Sequence, residues 1–168
     1  ISFPIPQKRG GIPYNRVQAR KAWSMKRLAN ELGMNLPASC HLDPDLVSSN
    51  LKDRHPDWKP CFGQHGAALT HLFNHGVGEG DLFLFYGWFK NVERVKAGGW
   101  KFDKKSPDLH VIFGYLEVGE MMPLENIEPP EWLSYHPHVK CKEEFGRLNH
   151  IFKGNEKLSL NENIPGAG

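Results

Sequence analysis

Apolar residues along this chain fall into a few short runs separated by polar, Pro- and Gly-rich stretches. The densest run, Leu82-Phe83-Leu84-Phe85-Tyr86-Gly87-Trp88-Phe89, follows a Gly80-Asp81 turn. It is too short for most helices and rich in β-favouring aromatics, which predicts a strand buried on both faces. Leu109–Gly119 predicts a second strand, with Val111, Phe113, Tyr115 and Glu117 on one face and His110, Ile112, Leu116 and Val118 on the other. Gly114 interrupts it and marks a bulge or a close approach of backbone. The polar connection Lys90–Pro107 carries no helical pattern, so the two strands are expected to pair antiparallel.

Elsewhere the period changes. Met25, Leu28, Ala29 and Leu32 recur at helical spacing, which predicts a helix over Arg16–Leu32, capped by Asn15 and ended by Gly33. A second helix is expected over Gly63–His75, with Leu69, Leu72 and Phe73 as its apolar face and Gly76 just past its end. Asn149–Phe152 and Lys157–Leu160 read as short strands, and Asn35–Pro60 as an irregular segment. The fold class expected from these elements is α+β.

Composition narrows the class. A chain of 168 residues with 39% hydrophobic and 24% charged residues suits one folded domain, 1–168, with a core of its own. It contains no apolar run near the roughly 20 residues that span a bilayer. It starts at Ile1 without Met and stops at Gly166-Ala167-Gly168, so both ends read as truncated. Three cysteines, Cys40, Cys61 and Cys141, without CxxC spacing, argue against a disulfide framework and a cysteine-rich zinc site. The expected location is therefore cytoplasmic, with the nucleus as the alternative. The net charge of +2 is bland, but Lys8, Arg9, Arg16, Arg20, Lys21, Lys26 and Arg27 precede residue 36 against Glu31 alone. Such a block suits a polyanion; the alternative is a solvated helix face.

Several polar constellations carry chemistry. In His41-Leu42-Asp43-Pro44-Asp45, alternation along an extended segment would turn His41, Asp43 and Asp45 to one side, fit for acid–base work or a divalent metal. Alternatively, Asp43 or Asp45 caps a short helix at Leu46–Asn50. His136-Pro137-His138 presents two imidazoles two residues apart, on one side if extended, as ligands or as hydrogen-bonded structural residues. Phe62-Gly63-Gln64-His65-Gly66 opens the second helix, where backbone amides suit an anion and Gln64 suits a base edge; tight packing through small residues is the alternative. Trp88, His110 and Tyr115 lie on the strong strands, where aromatics either stack a base or fill the core. No GxSxG, HExxH or zinc-deaminase pattern is present.

The order CHLDPDL, FGQHGAALTHL, GDLFLFYGWF, DLHVIFGYLEVGE, YHPHV and a late Asn149 resembles the third nucleotide-modification-associated domain family, over most of the chain. That family is linked to modified bases in DNA. Its members usually begin with a further strand bearing Arg-Lys-Gly and continue past the GAG ending. Gly80-Asp81 followed by Gly114-Tyr115-Leu116-Glu117-Val118 is also similar to the strand pair of PUA, ASCH and EVE domains. This implies a small mixed or antiparallel β-barrel with two or three flanking helices. The resemblance implies a protein that recognises or processes a modified base, with DNA or a nucleotide as partner and no membrane. His41, Asp43, Asp45, Gln64, His110, His136 and His138 would line one polar pocket, Trp88 and Tyr115 would flank it, and Arg16 and Arg20 would hold phosphate. A divalent metal is a candidate cofactor. A metal-dependent modifying enzyme and a non-catalytic interaction domain are the rival readings.

Overall fold

A computed structural model of the chain describes residues 1–20, 23–96 and 98–168. β1 (Ile5–Pro6) and β2 (Ile12–Pro13) flank β5 (Ser39–His41) in a small antiparallel sheet; between them lie the β3 (Gln18–Arg20) and β4 (Trp23–Ser24) pair and α1 (Met25–Glu31). The helix expected over Arg16–Leu32 is therefore confined to its second half. Ser24, not Asn15, caps it, accepting the Arg27 N–H at 3.2 Å. Tertiary burial overrides the local pattern: Val17 bridges to Leu51 and joins Ile12, Tyr14, Cys40 and Leu42 in one core. The Tyr14 hydroxyl donates to the Pro4 carbonyl at 2.6 Å, which ties the first residues down.

The main sheet is built from β6 (Cys61–His65), β7 (Leu82–Phe89), β10 (Leu109–Pro123) and β11 (Asn149–Gly154). Its order is β6-β11-β10-β7, all pairs antiparallel. It curls as a half-barrel, and its edges β6 and β7 do not pair with each other, so the barrel is not closed. The expected second helix starts late: Cys61–His65 pairs along β11, and only α2 (Gly66–Asn74) is helical. Lys90–Pro107, expected as an irregular connection, holds the hairpin β8 (Val92–Arg94) and β9 (Trp100–Phe102). α3 (Pro137–Lys140) and α4 (Lys142–Phe145) are single turns, which brings the described α-helices to four. β12 (Lys157–Leu158) and β13 (Asn161–Pro165) form a last hairpin. Among the described residues no helix is long and apolar enough to cross a membrane.

β7 is an edge strand, and this corrects the expectation of burial on both faces. Phe83 and Phe85 pack inward on Phe62, while Leu84, Tyr86 and Trp88 are 56%, 73% and 66% exposed. The pairing register slips between Ile112 and Gly114, so Phe113 is an extra residue. This bulge reverses the alternation along β10. His110 and Ile112, opposite Trp88 and Tyr86, face outward, whereas Leu116, opposite Phe83, faces the core. Gly114 is also a close approach, because a Cβ there would meet Leu46 and stand 3.0 Å from the Gly168 carbonyl oxygen. The final residues continue the sheet, with Tyr115 N–H donating to Gly168 O at 2.8 Å.

Candidate functional site

Cys40 on β5 is fully buried in the N-terminal core, so period-two alternation turns its neighbour His41 to the other side. Beyond β5 the chain runs beside β6 and brings the Asp43 carboxylate to the Gly63 N–H, which donates to Oδ1 at 2.9 Å and lies 3.2 Å from Oδ2. Three imidazoles surround this carboxylate. His41 Nε2 and His138 Nε2 each stand 3.4 Å from Oδ2, and His136 Nε2 stands 3.6 Å from Oδ1. The side chains of Asp43, His136 and His138 are 4%, 0% and 3% exposed, whereas His41 is 21% exposed and forms the accessible edge.

His136 and His138 do not converge by the extended alternation that the sequence suggests. His136 is the N-cap of α3 with Pro137 in its first turn, and its Nδ1 accepts the His138 N–H at 3.3 Å. A neutral His136 ring therefore carries its hydrogen on Nε2, facing Asp43, where it has no partner within hydrogen-bond range among the described residues. His138 is set the opposite way. Asn149 Nδ2 donates to the His138 carbonyl at 3.0 Å, which fixes the amide, and its Oδ1 takes the Nδ1 hydrogen of His138 at 2.6 Å. Gln7 Oε1 stands 3.1 Å from His41 Nδ1 and Asp43 Oδ2 stands 3.4 Å from His41 Nε2, so either nitrogen of that ring has an acceptor for its hydrogen. In its Nδ1–H tautomer the Nε2 lone pair of His138 points toward Asp43, whereas His41 Nε2 is within hydrogen-bond range of Asp43 Oδ2 and can donate to it.

Electrostatics follow from burial. Desolvation works against charge on Asp43, but the His136 and His41 imidazoles outweigh it and hold its carboxyl at about 2. Burial pulls the His138 imidazole down to about 4, only partly offset by Asp43 and Asn149, so the ring is neutral at pH 7. One donor atom from each of His41, Asp43 and His138 lies within 4.8 Å of the other two, a set able to hold a metal ion.

The other predicted residues are placed elsewhere. Asp45 is fully buried in a separate cluster: Arg54 donates to both its oxygens at 2.5 Å, and the Tyr135 hydroxyl (2.5 Å) and Trp58 Nε1 (3.2 Å) complete the shell. The expectation of one shared face fails because the regular strand ends at His41 and Asp45 instead bridges Cys61. Neither aspartate caps the 3-10 turn at Ser48–Asn50, whose cap position is Val47. Gln64 turns its carbonyl back to the His65 N–H at 3.0 Å. Trp88 and His110 stack on each other on the outer face, and His110 lies 13 residues along β10 from Pro123, on the order of 40 Å of strand. Tyr115 is held at the C-terminal segment, its hydroxyl donating to Pro165 O at 3.1 Å. Arg16 reaches the Lys52 carbonyl, and the Arg20 side chain lies outside the described residues. Surface hollows of about 270 and 760 Å³ are lined by other residues, Arg16 and Arg54 among the first set, and neither includes the Asp43 centre.

Sequence reasoning missed Gly63 and Gln7 as partners and His65 and Phe145 as walls. Phe145 stacks on His138 at 4.3 Å, and the His65 ring lies 5.7 Å from His138. The FGQHG motif held the one readable signal, since a glycine there leaves room for a ring. A Cβ at Gly63 would fall 2.5 Å from His138 Cδ2, against the ring face. Gly63→Ala is accordingly expected to displace His138 and to cost about 1–3 kcal/mol by overpacking. Urea unfolding, together with loss of the His138–Asn149 hydrogen-bonded imidazole signal in NMR, checks it.

In comparison with known proteins, the model of a family described as nucleotide modification associated domain 3 matches residues 1–168. No curated protein and no solved structure matches the chain.

Proposed function

The chain belongs to the nucleotide modification associated domain 3 family, and from that premise we propose that it processes a nucleobase or nucleotide at the Asp43 centre. The observation that carries the proposal is the convergence of His41, from one segment, and His136 and His138, from another, on the buried Asp43 carboxylate. Burying so many titratable groups works against stability unless they are paired, which supports a chemical role over a packing one. Asp43 remains an anion and His138 a neutral base at pH 7, both in the state that can take a proton from a bound nucleobase. Substrate would approach past His41 and His65. The half-barrel, the Gly80-Asp81 turn and the Gly114 bulge support kinship with PUA- and EVE-like domains as the fold side of the same proposal.

The test is mass spectrometry of nucleotides and DNA, with and without base modification, after incubation with the protein. Asp43→Asn and His136→Ala are each expected to cut product to below a tenth of wild type while circular dichroism stays native. Unchanged product in both variants would refute the assignment. A second reading, a module that reads a modified base without turnover, is favoured by the exposed Trp88–His110 stack. It predicts binding to modified DNA that survives Asp43→Asn and is lost in Trp88→Ala.

A further inference from the structure

We propose that His41 Nε2, His138 Nε2 and Asp43 Oδ2 form a binding site for one divalent transition-metal cation of the zinc type. The geometry is that of a ligand set. Tetrahedral ligands about 2.0–2.2 Å from an ion stand about 3.4 Å apart. Both imidazole nitrogens stand 3.4 Å from the same carboxylate oxygen.

The hydrogen-bond shell points the same way. His138 spends its Nδ1 hydrogen on Asn149 Oδ1, and His41 Nδ1 has a side-chain carbonyl, Gln7 Oε1, in reach in the same way. That leaves the His138 Nε2 lone pair facing a carboxylate oxygen, a repulsive arrangement that a cation between them turns into an attractive one, and a cation would draw the His41 hydrogen to Nδ1 so that its Nε2 lone pair joins the set. Metal-ligating histidines characteristically donate their other N–H in this way. The second carboxylate oxygen is accounted for separately. Oδ1 takes the Gly63 N–H, and the fully buried, otherwise unpartnered His136 Nε2–H is aimed at it. His136 is thus a positioning residue for Asp43 and not a ligand. Two imidazoles with one carboxylate favour a borderline transition cation over Mg²⁺ or Ca²⁺, which take oxygen shells. Three protein ligands leave a fourth position open toward the exposed edge of His41, as in sites that bind water or substrate.

The measurement reads the ion rather than a product, so it fails or succeeds independently of the proposed reaction. Purified full chain is stripped with chelator, then titrated with Zn²⁺ by calorimetry and with Co²⁺ by electronic absorption, with Mg²⁺ as the comparison ion. One Zn²⁺ per chain and a Co²⁺ spectrum of low coordination number are expected, with no Mg²⁺ uptake. His41→Ala and His138→Ala should each lower Zn²⁺ affinity at least tenfold. Asn149→Ala should lower it about 10–100-fold while leaving one ion per chain. The exposed pair of His71 on α2 and His75 at its C-cap has rings 4.2 Å apart and could take up zinc adventitiously. The double variant His71→Ala/His75→Ala should leave the high-affinity ion in place. No uptake by wild type, or uptake abolished by that double variant, overturns the proposal. So does unchanged affinity in His41→Ala, the partly exposed ligand whose loss the fold tolerates best.

Discussion

Arg54→Ala is expected to lower the unfolding free energy by about 3–5 kcal/mol, because it strips from a buried carboxylate its only countercharge among the described residues. Asp45 is fully buried, and Arg54 is 11% exposed on its side chain. The guanidinium meets both carboxylate oxygens, an arrangement that gives up side-chain entropy once for two charge-assisted hydrogen bonds. It also lies over the Trp58 and Tyr135 rings, at 4.6 and 5.1 Å from their centroids, so truncation removes packing as well as charge. The Tyr135 hydroxyl and Trp58 indole would remain, but neutral donors cannot balance a carboxylate out of water. The surface pair Glu93–Lys101 provides the contrast: both side chains are at least half exposed, and Lys101→Ala should change stability by about 1 kcal/mol at most. Urea denaturation of the two variants decides the matter. A loss below about 1 kcal/mol in Arg54→Ala would mean that water reaches Asp45 and that the cluster is not a buried ion pair.

That cluster also shows where sequence reading stops. His41 and Asp43 meet, and Asp45 does not, although all three share the same local alternation. What separates them is tertiary: Asp45 bridges β6 and meets Arg54, while Asp43 meets an amide 20 residues away. The two apolar strands and their antiparallel pairing were legible because the Leu82–Phe89 run and the Leu109–Gly119 pattern are dense and the connection between them is polar. Gly114 was legible as the mark of a bulge or close approach; the bulged residue is its neighbour Phe113, and Gly114 itself is the close approach. Which face of β7 meets water was not legible, since that depends on its place at the sheet edge. The first half of the expected N-terminal helix was lost because Val17 has a better apolar environment in the sheet core than on a helix. At the site, the residue types could be picked out one by one. The hydrogen-bond shell could not, because Gln7 reaches His41 from 34 residues away and Asn149 sets the His138 tautomer from 11.

The metal-free protein is expected to lose stability on mild acidification, in two steps whose order follows from the two buried groups. His138 is held at about 4 against an ordinary value of 6.5. Below pH 6.5 the unfolded chain takes up a proton there and the native protein does not, so stability falls with falling pH until the native ring titrates near pH 4. At about 1.4 kcal/mol per pH unit this amounts to about 3 kcal/mol at most. Asp43 adds a second loss of about 2 kcal/mol at lower pH, because its folded value near 2 lies below the ordinary 3.8 and its contribution disappears between the two. Urea midpoints measured in chelator from pH 7.5 to 3.5 should therefore decline most steeply between pH 6.5 and 4. Between pH 6.5 and about 5 the His138 ring should show little titration by NMR. His138→Gln, which keeps an amide in the cavity but cannot take up a proton, should flatten that decline even if its starting stability is lower. Zn²⁺ sharpens the test. An ion bound only by the native protein raises the midpoint, and the gain should be largest at pH 7 and shrink as protons compete for the same nitrogens. A midpoint that is flat from pH 7 to 4 without metal would show that water hydrates His138 in the native state, and that burial does not hold it neutral.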